Sequence, residues 1–295
     1  MPTPPAPAGR RRVALGRARG AAALTLGCAW WAAHGSARPT PPVAVERART
    51  EARVPTLTHV PFGVGEREDY DLAAKALLGI VQAHGAAAMI VSEIDSVRDR
   101  RAWHLSFTIN GGFLGWSLAD QYDSWLDIDS LQSLRYIQDK HEGSYHAHHL
   151  YDIFPEHEQY SEDGEVLKSS VAHPLDEGSF LFFVRTMPLR IGLDTSFGDY
   201  FVPERNPVEI QVIRRDTVAV GGLTCVALLV HPVLNTSGMF SKGGDMQVWF
   251  SDDSNRIVLQ IKANIPNIPV GRLSLSLKSY RLAGADSTRR TPACH

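Results

Sequence analysis

Cysteine is scarce, with three residues in a chain of 295. That excludes a disulfide framework as the source of stability. A chain of this size needs none, because it buries roughly three quarters of its unfolded surface. Basic stripes are also missing. Five of the 30 Lys and Arg residues fall in the first 37 positions, which hold no acid, so 25 bases face 32 acids in the remainder. A net-negative body repels phosphate backbones, and nucleic acid is set aside as a partner. No Gly-x-Ser-x-Gly elbow occurs, since Gly115-Trp116-Ser117-Leu118 lacks the second glycine. No glycine-rich loop runs into Lys and Ser or Thr to cradle a phosphate. Beyond the first 37 residues, no apolar run is long enough to cross a bilayer, and no internal repeat is visible.

What is present begins with a leader. Arg10, Arg11, Arg12, Arg17 and Arg19 precede a short apolar stretch from Gly20 to His34, and Gly35-Ser36-Ala37 supplies small residues for cleavage after Ala37. This is the pattern of a secretory signal peptide. A second outcome fits the same stretch: Leu24-Thr25-Leu26-Gly27-Cys28 resembles a lipobox, which would make Cys28 an N-terminal lipid anchor. Thr25 stands where leucine is usual and favours the first outcome. Either way the chain is expected to be exported, to the periplasm or cell envelope. Residues 38–58, rich in Pro and Arg without periodicity, read as a flexible linker. Residues 59–282 read as one domain and 283–295 as a disordered polar tail.

The body alternates with a period of two. Trp103, Leu105, Phe107 and Ile109 oppose His104, Ser106 and Thr108. Ile257, Leu259, Ile261 and Ala263 oppose Arg256, Gln260 and Lys262. Leu273, Leu275 and Leu277 oppose Arg272, Ser274 and Ser276. Such alternation suits antiparallel strands with one face on a core. Val220-Gly221-Gly222-Leu223, Ser251-Asp252-Asp253-Ser254-Asn255 and Ser241-Lys242-Gly243-Gly244-Asp245 carry the residues that tight connections need. The fold class is therefore all-β: a large curved antiparallel sheet, half-barrel or barrel. Helix signals are few. Asp69–Ala76 admits a short helix, and Leu77–Val81 reads equally well as strand. The clearest helix spans Ser179–Met187, with Asp176 and Ser179 as caps and Pro188 as stop. Its apolar run Phe180–Val184 demands burial, and a buried strand is the alternative. Cys225 sits in an apolar strand pattern and Cys294 on the tail. A bond between them fits an oxidising compartment, but one buried and one loose thiol is the simpler expectation.

Several short motifs occur in order. They are Phe62-Gly63-Val64-Gly65-Glu66 followed by Tyr70; Asp120, Ser124 and Asp127; Asp176, Ser179, Arg185 and Pro188-Leu189; Val248-Trp249-Phe250-Ser251-Asp252-Asp253 with Arg256-Ile257; and Gly271-Arg272-Leu273 with Tyr280. Together they resemble the bacterial exported family catalogued as domain of unknown function 3108, from Phe62 to Tyr280. Val258 departs from the proline usual after Arg-Ile, and it can donate a ladder hydrogen bond that proline cannot. The resemblance implies a half-barrel similar in broad shape to periplasmic lipoprotein carriers. It implies no activity.

His146 and His148 share a strand face, but no third metal ligand stands at a recognisable spacing, and no metal or cofactor is expected. Asp120, Asp123, Asp127 and Asp129 form a dense acidic run without the Gly and terminal Glu of a calcium loop, so turn capping or pairing to Arg135 or Arg185 is the plainer reading. Asp176 and Arg185 could form a polar site beside the helix, with Arg185 holding an acidic headgroup, or an internal ion pair. Phe113, Trp116, Tyr122 and Trp125, close in sequence around Gly111, Gly112 and Gly115, could line a ligand mouth or bind sugar faces, or simply pack as core. The expected function is a non-catalytic binder or carrier of an apolar ligand, a lipid or lipoprotein, using Trp116, Asp120, Tyr122, Trp125, Asp127, Asp176, Phe182, Arg185 and Trp249. The alternatives are an envelope assembly factor working through protein contacts, and a carboxylate-dependent glycan hydrolase.

Overall fold

A computed structural model describes residues 60–76, 81–113, 116–234, 246–264, 271–284 and 293–294. The leader, the linker, Leu77–Ile80 and the Ser241–Asp245 turn lie outside the described residues. Fourteen strands and one α-helix make up the body. β1 (Arg67–Ala76), β2 (Val81–Val97), β3 (Arg100–Phe113), β4 (Trp116–Asp127), β5 (Ser133–Glu142), β6 (Tyr145–Phe154), β7 (Gln159–Glu162) and β8 (Lys168–Ser169) precede α1 (Glu177–Thr186). β9 (Asp194–Phe197), β10 (Val208–Val220), β11 (Leu223–Leu234), β12 (Gln247–Ser251), β13 (Val258–Asn264) and β14 (Arg272–Arg281) follow it.

All the strands join one antiparallel sheet in the order β8-β7-β6-β5-β4-β3-β2-β1-β14-β13-β12-β11-β10-β9. The first and last strands in the chain pair next to its middle, with Leu72 opposite Leu275. The edges are therefore β8 and β9, the strands that flank α1 in sequence, so the helix segment links one edge to the other. Beyond those edges Leu175 and Tyr200 form a parallel bridge, and Ser170 Oγ donates to Phe201 O at 2.7 Å. The sheet is curved but not closed.

Period-two patterning explains this arrangement. On β14, Leu275 and Leu277 are buried while Ser274 and Ser276 are half-buried; on β3, Leu105 and Ile109 are buried. Register shifts at Asp69/Tyr70, Val91/Glu93, Trp125/Leu126, Val212/Arg214 and Trp249/Phe250 bend the strands so that one face can wrap a core. Gly85 has a steric reason: a Cβ there would lie 1.9 Å from Asn110 O, so β2 and β3 approach too closely for any side chain.

The helix expected at Ser179–Met187 is α1. Asp176 caps it and Ser179 completes a capping box. Phe180, Leu181, Phe182 and Val184 are buried, and each such side chain contributes roughly 1.5–3 kcal/mol on burial. Three expectations are corrected. Asp69–Ala76 is strand, because pairing with β2 and β14 on both sides outweighs the helix propensity of its alanines. Cys225 and Cys294 are bonded as a disulfide rather than left as thiols. Accordingly, the end of the tail is fastened to the sheet: Val226 N donates to Ala293 O at 2.8 Å, and Ala293 N donates to Asp253 Oδ2 at 3.0 Å. Composition marked this segment as polar, but one covalent tie and two hydrogen bonds decide its position.

Candidate functional site

The apolar helix needs polar anchors at its ends, and both are fully buried. At the N-terminus, Asp176 Oδ1 accepts from Ser179 N at 2.8 Å and Oδ2 accepts from the Ser124 hydroxyl of β4 at 2.6 Å. Asp176 N donates to Ser133 Oγ of β5 at 3.1 Å, and Ser133 and Ser179 hydroxyls meet at 2.9 Å. Burial pushes the Asp176 carboxyl up to about 6, while the hydrogen bonds from Ser124, Ser179 and Ser133 oppose that rise.

At the other end Arg185 is enclosed. Its guanidinium lies 2.6 Å from Glu66 Oε1 and 3.4 Å from Glu68 Oε1, and it donates to Asn255 O at 2.9 Å and Pro61 O at 3.1 Å. The rings of Phe62 and Phe182 each stand 5.6 Å from it. Tyr70 OH is hydrogen-bonded with Glu68 Oε2 and also lies 2.9 Å from Val258 O. One guanidinium thus serves two carboxyls. Burial, reinforced by the neighbouring Glu66 charge and opposed by Arg185, pushes Glu68 up to about 7. Asp176 and Arg185 do not meet, since nine helical residues separate them by about 13 Å of rise. Arg185 pairs with β1 and its approach instead of with Asp176.

The remaining predicted residues scatter. Asp120 faces inward, accepting from His141 N at 2.9 Å and from Tyr122 OH at 3.2 Å. Tyr122 stacks on Phe107 with ring centroids 6.0 Å apart. Trp125 faces the opposite side, stacked on His104 at 4.5 Å and donating to Asp95 Oδ2 at 2.9 Å. Asp123 shares that outer face, 3.0 Å from His104 Nε2. Asp127 caps the β4–β5 turn through Ser130 N (2.8 Å) and pairs with Arg100 at 2.9 Å. Trp249 donates to Asp216 Oδ2 at 3.1 Å under the Lys262 ammonium. Phe182 packs edge-on to Phe62 in the core. The side chain of Trp116 lies outside the described residues.

One feature of the inner face was not legible. A row of apolar or side-chain-free positions crosses five strands: Leu275, Leu72, Gly85, Gly111 and Leu118. Leu275 and Leu72 are buried, whereas Leu118 is half-buried. The next row toward the β1–β2 connection, Leu273, Ala74 and Ala83, is half-buried as well. The wall is therefore covered at the α1 side and partly open beyond it. On the outer face, a recess of about 400 Å³ is lined in part by Arg67, Asp69, Thr108, Asn110 and Lys278. A second, of about 250 Å³, shares Thr108 and Asn110 and reaches Asp139 and His141. The first also takes in Tyr70, Ala86, Ala87 and Ala88 and is of mixed character, whereas the second is mainly polar.

The family described as Protein of unknown function (DUF3108) matches residues 69–276. The chain belongs to the DUF3108 family. The DUF3108 chain is also similar in fold to a solved beta-barrel-like protein of domain of unknown function DUF1849 from Brucella abortus. The TM-score is 0.51 at 10% identity, over 75% of this chain and 98% of that one. No curated protein matches.

In this DUF3108 chain, six of the motif residues hold α1 to the sheet. Ser124, Asp176 and Ser179 form one anchor; Glu66, Tyr70 and Arg185 belong to the other. Glu68 and Ser133 complete the anchors and were missed, because a single acid or serine in a strand carries no sequence signal for burial. The inner wall was missed because alanine and glycine in strands read as weak patterning until their cross-strand partners are known. Among the described residues, no helix of the DUF3108 chain is long and apolar enough to cross a membrane.

Proposed function

We propose that this chain is an exported, non-catalytic binding protein of the cell envelope that holds an apolar ligand, an acyl chain of a lipid or lipoprotein, against the inner wall of its sheet. The observation that carries the reading is the half-open wall of Leu273, Ala74, Ala83 and Leu118, with the side-chain-free Gly85 and Gly111 between them and the Leu72 side chain lying over Gly111. Such a surface offers apolar contact and no competing hydrogen-bond groups from side chains. Export is supported by the leader pattern and by the Cys225–Cys294 disulfide, a bond characteristic of oxidising compartments. The non-catalytic reading is supported by how the acids are used: Asp120, Asp127 and Asp176 are occupied with backbone amides and hydroxyls. Asp120 and Asp123 lie on opposite faces, which does not support a paired-carboxylate glycan hydrolase.

The test is lipid analysis by mass spectrometry of protein purified from its native envelope. Co-purifying acyl lipid, lost in Ala83→Trp and Ala74→Trp variants that fill the wall, is the expected result. A ligand-free unmutated protein would overturn the reading. A second reading, an envelope assembly factor, draws on Val166 and Leu167, which are 82% and 51% exposed beside the edge strand β8. Crosslinking from position 166 in cells distinguishes it, because the lipid reading requires no protein there.

A further inference from the structure

Apart from the apolar wall and independent of it, three groups of metal-ligand type converge where β6 meets β7. His149 Nδ1 lies 3.2 Å from Asp163 Oδ2 and 3.5 Å from Glu162 Oε1. One ligand atom from each residue falls within 4.8 Å of the other two. An imidazole nitrogen and two carboxylate oxygens bonded to one zinc ion at about 2.0–2.2 Å stand roughly 3.4 Å from one another in a tetrahedron. The two nitrogen–oxygen distances bracket that value without any ion present.

The second oxygen of each carboxylate is already held. Leu150 N donates to Asp163 Oδ1 at 2.7 Å, and Lys168 Nζ donates to Glu162 Oε2 at 2.8 Å. Each acid therefore turns its other oxygen toward the imidazole. Glu162 Oε1 also accepts from Tyr151 OH at 3.1 Å, a contact that orients it. The backbone accounts for the convergence. Glu162 pairs with Tyr151, which shares a face of β6 with His149. Strand alternation would send Asp163 to the other face, but its φ of 53° and the 74° of Gly164 turn the chain back. Two carboxylates against the one Lys168 ammonium leave an excess negative charge that a divalent cation reverses.

We propose that His149, Glu162 and Asp163 bind a divalent transition-metal ion, with zinc the best fit to the mixed nitrogen and oxygen donors, and with its remaining coordination positions open. The untagged full chain, stripped with chelator, is titrated with Zn²⁺ by calorimetry and with Co²⁺ by visible absorption. One-to-one binding is expected, weakened at least about 100-fold by His149→Gln and by Asp163→Asn, and unchanged by His141→Ala or His146→Ala. Histidine-ring NMR of the unmutated chain gives the same answer without relying on a variant that must fold: zinc must perturb the His149 ring. The proposal is overturned if the unmutated chain binds no tighter than His149→Gln, which would leave an ordinary histidine–carboxylate ion pair. It is equally overturned if zinc perturbs only other histidines, or if binding is lost with His141→Ala or His146→Ala.

Discussion

Asp176 and Glu68 are carboxyl groups sealed away from water at the two ends of one helix, and burial raises both. An acid whose folded value lies above its unfolded value keeps its proton longer in the folded chain. Between pH 4.5 and about 7 the folded protein retains a proton on Glu68 that the unfolded chain has released, so stability falls as pH rises through that window. Asp176, raised from 3.8 to about 6, acts in the same direction at lower pH. His104, raised by its hydrogen bond to Asp123, also loses its contribution as pH rises. Urea midpoints should therefore decline from pH 5 to pH 8, and Glu68→Gln should flatten the decline; an unaltered slope in that variant would remove Glu68 as its source. Asp176→Ala removes the helix cap and strands the Ser124 hydroxyl and the Ser179 amide. It should cost about 3 kcal/mol in equilibrium denaturation, with Asp176→Asn costing less.

At the scale of elements, the joint that matters is between α1 and the adjoining ends of β4 and β5, at Ser124 and Ser133, on one side, and the approach to β1, on the other. The helix is held by hydrogen bonds and an ion cluster at its ends and by Phe180, Phe182 and Val184 along its length. Packing supplies the favourable energy. The charged cluster contributes chiefly by fixing which helix orientation is compatible with buried charge, because a buried pair roughly offsets its own desolvation. The β2–β3 hairpin sets the shape of the inner wall. Gly85→Ala should destabilise the protein by more than about 2 kcal/mol, since the new methyl meets the Asn110 carbonyl oxygen and not a movable side chain. A thermal midpoint within a degree of the unmutated protein would show that β2 and β3 separate there without penalty.

For the whole molecule, the order of strands has one consequence for assembly. The pairing of β1 with β14, next to the centre of the sheet, joins the beginning and end of the domain, so the sheet is complete only when the last strand is in place. The disulfide then fastens the end of the chain to β11 across 69 residues of sequence. Cys294→Ser, or reduction, should lower stability by about 2–4 kcal/mol. Chain recovered from the envelope without reductant should show no free thiol at Cys225 in an alkylation assay. A reactive Cys225 in that preparation would count against both the bond and the oxidising compartment.

The local patterns were legible because they depend on neighbours in the chain. Alternation at Leu273, Leu275 and Leu277 specified strand and inward face, and Asp176 with Ser179 and Pro188 specified the ends of α1, since caps and stops act within four residues. Family membership was legible in the ordered motifs, and the family match bears it out. What the motif residues touch was not legible. Arg185 finds Glu66 across 119 residues, and Asp176 finds Ser124 across 52. Cys294 reads as a loose thiol because nothing in its own segment points to Cys225. The openness of the wall beyond α1 and the meeting of His149 with Glu162 and Asp163 depend on strand register and on the left-handed pair Asp163 and Gly164. Spacing along the chain determines which elements form; which side chains share a site is decided by long-range pairing, whose energy is absent until the curved sheet and the helix have packed together.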